Sequence, residues 1–183
     1  MQHNKPEPPM SSHSTAHSRL FSVAERWRPA AHRHEVREAA RFVFCIYHGI
    51  PVRGIREENG ELVVQFDADY IGVQASGMSE YVEMLVSGAI AVQIIYGGEN
   101  REMVDAIIEA ERIYQLREVG TFAGTGGFES LVHKASRHAT LHLADPKMRS
   151  AIASATRFLT RMRRSVSSED MEQLRQLVIR ALH

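Results

Sequence analysis

The chain has one cysteine, no net charge and no long uninterrupted apolar run. Its 183 residues hold 22 Lys and Arg against 22 Asp and Glu, so overall charge attracts it neither to nucleic acid nor to an anionic membrane. The single Cys45 excludes an internal disulfide and a cysteine-rich zinc module, and its apolar surroundings predict a buried, inert thiol. Because no run of about 18 apolar residues occurs and the N-terminus lacks the apolar core of a signal peptide, we expect a cytoplasmic protein with no membrane partner.

The first 20 residues differ in composition from the rest. The stretch MQHNKPEPPMSSHSTAHS is polar and contains three prolines, so it cannot bury enough apolar surface to order itself. We therefore predict a disordered polar tail over residues 1–20 and one domain over residues 21–183. A hydrophobic content of 44% is sufficient for the core of one such domain.

Apolar periodicity predicts a mainly helical chain with a small β element. Apolar residues recur at steps of three and four over residues 30–47, which predicts an amphipathic first helix that Gly49 and Pro51 end. Asn59-Gly60 separates two apolar or alternating runs and predicts a β-hairpin with strands over residues 51–55 and 61–66. The fold class is therefore mainly α, or α+β with a hairpin after the first helix. Further helices are predicted over residues 79–96, 101–116, 146–163 and 168–182.

The first helix carries a motif of potentially reactive side chains, RHEVRE. In the pattern His-Glu-x-x-His, two imidazoles four residues apart hold Zn²⁺ while the Glu activates a bound water. Here His34 and Glu35 occupy the first two positions, and Glu38 stands where the second histidine would be. Surface ion pairs between these carboxylates and the neighbouring arginines are the alternative interpretation.

Several stretches taken together resemble the zinc peptidase domain of the FtsH family and its relatives that lack the ATPase. HEVREAARFV resembles the family's active helix, GIPVRGI resembles the segment leading into its small sheet, and MLVSGAIAVQIIYGG resembles its buried helix. REMVDAIIEAERI resembles the next helix, where the family carries an aspartate as third zinc ligand and this chain has Glu102. The tail from DPKMRS onward resembles the closing helix pair, so that the likeness covers roughly residues 30–182.

The resemblance implies a degenerate metal site. His34, Glu38 and Glu102 would be its ligands and Glu35 its catalytic base, while Val92 stands where the family usually carries Glu. One histidine with two carboxylates is a harder donor set, suited to zinc or to Mn²⁺, Fe²⁺ or Mg²⁺, and a site without metal is the other expectation. We expect a non-catalytic or weakly active peptidase homologue that binds a protein or peptide, as a monomer or an oligomer. The alternatives are an active metal-dependent peptidase and a helical regulatory or nucleic-acid-binding module.

Three other features have both a functional and a plain interpretation. In the group His133, His138 and His142, the last two share a helical face and suit a two-imidazole metal clamp, or they form an exposed pair. If this segment folds beside the first helix, it could donate a ligand.

The glycines of residues 120–127 lack the Lys-Ser/Thr of a phosphate loop and predict a flexible connector. A cluster of four arginines near the C-terminus is typical either of a nucleic-acid site or of a solvated helix face, and the balanced charge favours the solvated face. Its members are Arg157, Arg161, Arg163 and Arg164.

Overall fold

The computed structural model describes residues 33–67, 77–97, 101–117, 127–162 and 166–183. Within them the chain forms six helices and one hairpin, which confirms the predicted fold class. The elements are α1 (Arg33–His48), β1 (Val52–Glu58), β2 (Glu61–Phe66), α2 (Gly77–Tyr96), α3 (Arg101–Arg117), α4 (Gly127–Ala144), α5 (Pro146–Arg161) and α6 (Ser168–Leu182). The predicted tail and residues 120–126 of the glycine-rich connector lie outside the described residues.

Helix α1 buries the apolar face that its sequence predicts. Its periodic residues Val36, Val43 and Phe44 belong to the core. Gly49 has φ 69, a conformation that glycine adopts without a steric penalty, so the helix ends at the predicted place. The predicted start at residue 30 falls outside the described residues.

The hairpin forms around the predicted Asn-Gly turn. Asn59 and Gly60 have φ 54 and φ 86, and positive φ at both central residues matches the right-handed twist of the flanking strands. The strands pair antiparallel, with Ile55 opposite Val64. Strand β1 runs to Glu58, three residues beyond the predicted end of the strand, because pairing continues to the turn.

Helix α2 is the centre of the fold, with α1, α3 and α4 packed around it. Gly88 allows α1 to pass close by, because a Cβ built there would lie 2.8 Å from Arg37 Cγ. By length and composition α2 is the one described helix that could cross a membrane, and 72% of its apolar 18-residue stretch is buried inside the protein. Core helices pass the same test.

Helices α4, α5 and α6 complete the domain. Helix α4 is not among the helices predicted from periodicity, because its fully buried stripe is narrow and consists of Ala135, Ala139 and Leu143. Asp145 caps α5, and Ser167 with Asp170 forms a capping box at the start of α6. Helix α5 packs on α1 and α6 packs on α5.

Candidate functional sites: the His-Glu helix and a histidine-carboxylate cluster

Glu38 on α1 is a fully buried carboxylate with partners on both oxygens. Its Oε1 accepts hydrogen bonds from Arg37 Nε at 2.9 Å and from Arg41 Nη1 at 3.4 Å. Its Oε2 accepts the backbone N–H of Val64 at 2.9 Å. Burying a charged side chain costs several kcal/mol unless it is paired in this way. The Glu38 carboxylate is therefore paired for a structural reason, and it ties α1 to β2.

His34 lies one turn earlier on the same face of α1 and contacts the same strand. Its Nε2 is hydrogen-bonded to the carbonyl oxygen of Leu62. Its Nδ1 lies 2.7 Å from Glu61 Oε2 and 2.8 Å from Arg37 Nη2. Both ring nitrogens are therefore engaged within the protein.

The spacing of the motif explains these contacts. Four helical residues rise about 6 Å and two strand residues extend about 6.6 Å, so positions 34 and 38 of α1 match positions 62 and 64 of β2. His34 meets the carbonyl of Leu62, and Glu38 meets the N–H of Val64. In a zinc peptidase this spacing would let the two side chains bind one metal ion. In this protein it lets them hydrogen-bond backbone groups of β2.

Glu102 is held by a different arginine. Arg33 donates to it with two nitrogens, Nε to Oε1 at 2.9 Å and Nη2 to Oε2 at 3.1 Å. This hydrogen-bonded pair lowers the pKa of Glu102 below its ordinary value despite partial burial. The same guanidinium lies 5.6 Å from the ring centroid of Tyr96. Glu102 therefore links the start of α3 to the start of α1.

Glu35, the predicted base, has one carboxylate oxygen, Oε2, that is buried and has no hydrogen-bond partner in the described part of the chain. The carboxylate lies close enough to Tyr96 to act on it electrostatically. Burial raises the pKa of the Tyr96 phenol, and the negative charge of Glu35 raises it further.

Of the ligand set that the resemblance implies, His34 and Glu38 share a face of α1. The group of three potential ligands within 4.8 Å of one another in the described part of the chain includes neither of them, nor Glu102. The carboxylates of Glu38 and Glu102 are each paired with an arginine guanidinium group. The roles of His34, Glu38 and Glu102 as ligands and of Glu35 as base stay predictions. Val92 is fully buried in the core.

A second cluster brings together His48, Glu83 and His142 from three helices. One ligand atom from each lies within 4.8 Å of the other two. Glu83 Oε1 is 2.7 Å from His142 Nδ1 and 3.6 Å from His48 Nε2. Burial raises the pKa of Glu83, but hydrogen bonding and attraction to the two imidazoles outweigh it, so the pKa lies below its ordinary value.

The sequence identifies part of this cluster. It predicts that His138 and His142 share a helical face, and their helix α4 does lie beside the C-terminal end of α1, where His142 Nε2 is 3.4 Å from the Tyr47 hydroxyl. His48 and Glu83 are not among the candidate ligands that the sequence indicates. The signal for Glu83 was a carboxylate inside a helix that is apolar nearly all round, since such a charge needs a partner.

The basic group on α5 lies partly outside the described residues. Arg157 is exposed and donates to Ser154, as expected of a solvated face. Arg163 and Arg164 are not described.

Comparison of the chain with known protein families, with curated proteins and with solved structures finds no match. The function therefore has to follow from the chain's own residues.

Proposed function

We propose that this protein is a peptidase-like scaffold that binds a protein or peptide partner and does not cleave peptides with its His-Glu helix. The observation that carries the proposal is the hydrogen bond of 2.9 Å from the Val64 N–H to Glu38 Oε2. This carboxylate stands where a zinc peptidase has its second histidine. Here it holds the hairpin in place.

The arginines around the motif support the same interpretation. Arg33 pairs with Glu102, Arg37 with Glu38, and Arg41 with both Glu38 and Glu109. A cation bound at His34 and Glu38 would have to displace two guanidinium groups from Glu38 and would lie close to their positive charge. The pairs with Glu102 and Glu109 join α1 to α3. The face of α1 that would be catalytic in a peptidase therefore connects α1 to α3 and to β2 in this protein.

An apolar pair on the outer face of α3 supports a binding role. Val104 and Ile108 are 56% and 59% exposed and lie four residues apart on one helix face. Exposed Arg101, Asp105 and Arg112 flank them. An apolar stripe with charged borders is the kind of surface that an amphipathic helix of another protein covers.

Peptide hydrolysis tests the proposal. The full chain is incubated with a casein-type substrate and excess Zn²⁺ or Mn²⁺, beside the Glu35→Gln variant. We expect no cleavage above the buffer rate and no difference between the two proteins. Metal-dependent cleavage that disappears in Glu35→Gln would overturn the proposal.

The binding surface has its own test, crosslinking of the full chain in its cell. We expect a crosslinked adduct that the double variant Val104→Ser/Ile108→Ser loses. Leu141→Ser is the matched control, because Leu141 on α4 is also exposed, at 61%. Identical adducts in the wild type and the double variant would exclude α3 as the binding face, and an adduct of two copies of this chain would identify the partner as itself.

An active metal-dependent peptidase is the second candidate, and one observation favours it. Glu35 Oε2 is buried and accepts no hydrogen bond from the described residues, which leaves it available as a general base. The Glu35→Gln comparison distinguishes the two functions, since it removes a base without changing the size of the side chain.

A further inference from the structure

Three helices bring imidazole and carboxylate groups to one point at the C-terminal end of α1. His48 is the last residue of α1, Glu83 lies within α2, and His142 lies in the last turn of α4. This cluster is separate from the His-Glu motif, and its three residues come from distant parts of the sequence.

The buried member of the cluster needs a positive partner. The side chain of Glu83 is only 4% exposed. Its ion-pair partners in the described ranges are imidazoles, those of His48, His138 and His142. A divalent cation bound between these imidazoles and the carboxylate would place a positive charge directly beside Glu83.

The spacing of the donor atoms suits a tetrahedral ion. Metal–ligand bonds of about 2.0–2.1 Å place neighbouring ligands of a tetrahedral site about 3.3 Å apart. Glu83 Oε1 lies 2.7 Å from His142 Nδ1 and 3.6 Å from His48 Nε2, and all three donor atoms lie within 4.8 Å of one another, so small side-chain movements bring them to that spacing. Two imidazoles and one carboxylate form a donor set that zinc uses widely, whereas Mg²⁺ and Ca²⁺ prefer oxygen ligands.

The surroundings orient His142 toward the site. Its Nδ1 faces Glu83 while its Nε2 lies 3.4 Å from the hydroxyl of Tyr47. A partner on the second ring nitrogen is what fixes the tautomer and orientation of metal-bound histidines. Phe44 forms an apolar wall, with ring centroids 5.9 Å from His48 and 6.0 Å from His142.

We propose that His48, Glu83 and His142 bind one Zn²⁺ ion, or Co²⁺ in its place, and that His138 supplies the fourth ligand. His138 precedes His142 by one helical turn and shares its face. Its Nδ1 is 4.0 Å from Glu83 Oε2 and its side chain is 44% exposed, so a change of rotamer brings it to the ion. The ion ties α1, α2 and α4 together.

Cobalt titration of the full chain tests this site. The protein is freed of metal with a chelator and titrated with CoCl₂ while the visible absorbance of Co²⁺ is followed. We expect one equivalent to bind. His48→Ala and Glu83→Gln should each weaken binding by about 100-fold or more, since loss of even an outer-shell partner costs about 10- to 100-fold. His133→Ala is the matched control, because His133 is an exposed histidine of α4 outside the cluster.

Each result decides the proposal. Absence of stoichiometric Co²⁺ and Zn²⁺ binding by the wild type would overturn it and leave the cluster as a buried carboxylate hydrogen-bonded to histidines. Unchanged binding in both ligand variants would also overturn it. If Glu83→Gln does not fold, as judged by circular dichroism, His48→Ala and His48→Asn decide. Peptide cleavage plays no part in this readout, so it is independent of the proposed function.

The fourth ligand has a separate readout. Four-coordinate Co²⁺ absorbs visible light much more strongly than five- or six-coordinate Co²⁺, so His138→Ala should bind Co²⁺ with a weaker, shifted band. A spectrum identical to that of the wild type would remove His138 from the coordination sphere while leaving the other three ligands in place.

Discussion

Glu38 Oε2 on α1 accepts the backbone N–H of Val64 on β2 at a distance of 2.9 Å. The two residues are 26 positions apart in the chain, and the contact is buried. It gives a strand N–H a charged acceptor where a neighbouring strand would otherwise supply a carbonyl. This contact gives Glu38 a structural role, because it ties α1 to β2.

Removal of the Glu38 carboxylate should destabilise the fold strongly. Glu38→Ala leaves the Val64 N–H and the Arg41 guanidinium, which is only 7% exposed, without this acceptor. We expect the free energy of unfolding to fall by about 3–5 kcal/mol, as for other broken buried pairs. Chemical denaturation followed by circular dichroism measures it. Glu129→Ala, at an exposed site on α4, should change the value by about 0.5 kcal/mol or less, and an equal effect of both substitutions would refute the structural role.

A methyl group at Gly88 should also destabilise the protein. In Gly88→Ala the new Cβ would lie 2.8 Å from Arg37 Cγ and 2.9 Å from the Arg37 carbonyl oxygen, so α1 and α2 must move apart. We expect a net loss of about 1–3 kcal/mol from overpacking, although alanine favours a helix by about 1 kcal/mol. Gly54→Ala in β1 is the matched control, because nothing lies within 4 Å of its added Cβ. A rise in melting temperature for Gly88→Ala would show that the helices are not in close contact.

The Arg33–Glu102 pair should contribute stability that depends on pH. The pKa of Glu102 is lower in the folded than in the unfolded protein, because Arg33 hydrogen-bonds the charged form. The contribution is therefore present above the ordinary carboxyl pKa of about 4.3 and is lost as the pH falls through the folded value. With Arg33 43% exposed, it amounts to about 1 kcal/mol or less. Urea unfolding of wild type and Glu102→Gln should give a difference that shrinks between about pH 7 and pH 3, and a difference independent of pH would contradict the pairing.

Cys45 should be unreactive in the folded protein. The thiol is fully buried, and burial raises its pKa to about 12, so little thiolate is available to react. We expect labelling by a thiol-reactive dye to be complete in denaturant and to occur in buffer only as fast as the protein opens. Rapid labelling of the folded protein would show that the helix carrying Cys45 is exposed.

Local patterns predicted most of the fold. The end of α1 at Gly49 and the Asn59-Gly60 turn depend on residues adjacent in sequence, and both lie where they are predicted. The candidate sites depend on contacts between distant residues. Glu38 looks like a surface charge or a ligand until Val64 is placed beside it, and Glu83 becomes a candidate ligand only when α1 and α4 bring His48 and His142 to it.

Bound zinc per chain tests most directly whether the histidine-carboxylate cluster, and not the His-Glu helix, is the metal site that we propose. Matched samples of wild type, His34→Ala and His142→Ala are loaded with zinc, freed of excess metal and analysed for bound zinc per chain. We expect His34→Ala to retain the wild-type zinc content and His142→Ala to lose it, because His34 contacts a strand and His142 faces Glu83. Loss of zinc in His34→Ala with retention in His142→Ala would contradict both proposals and return the metal to the His-Glu helix.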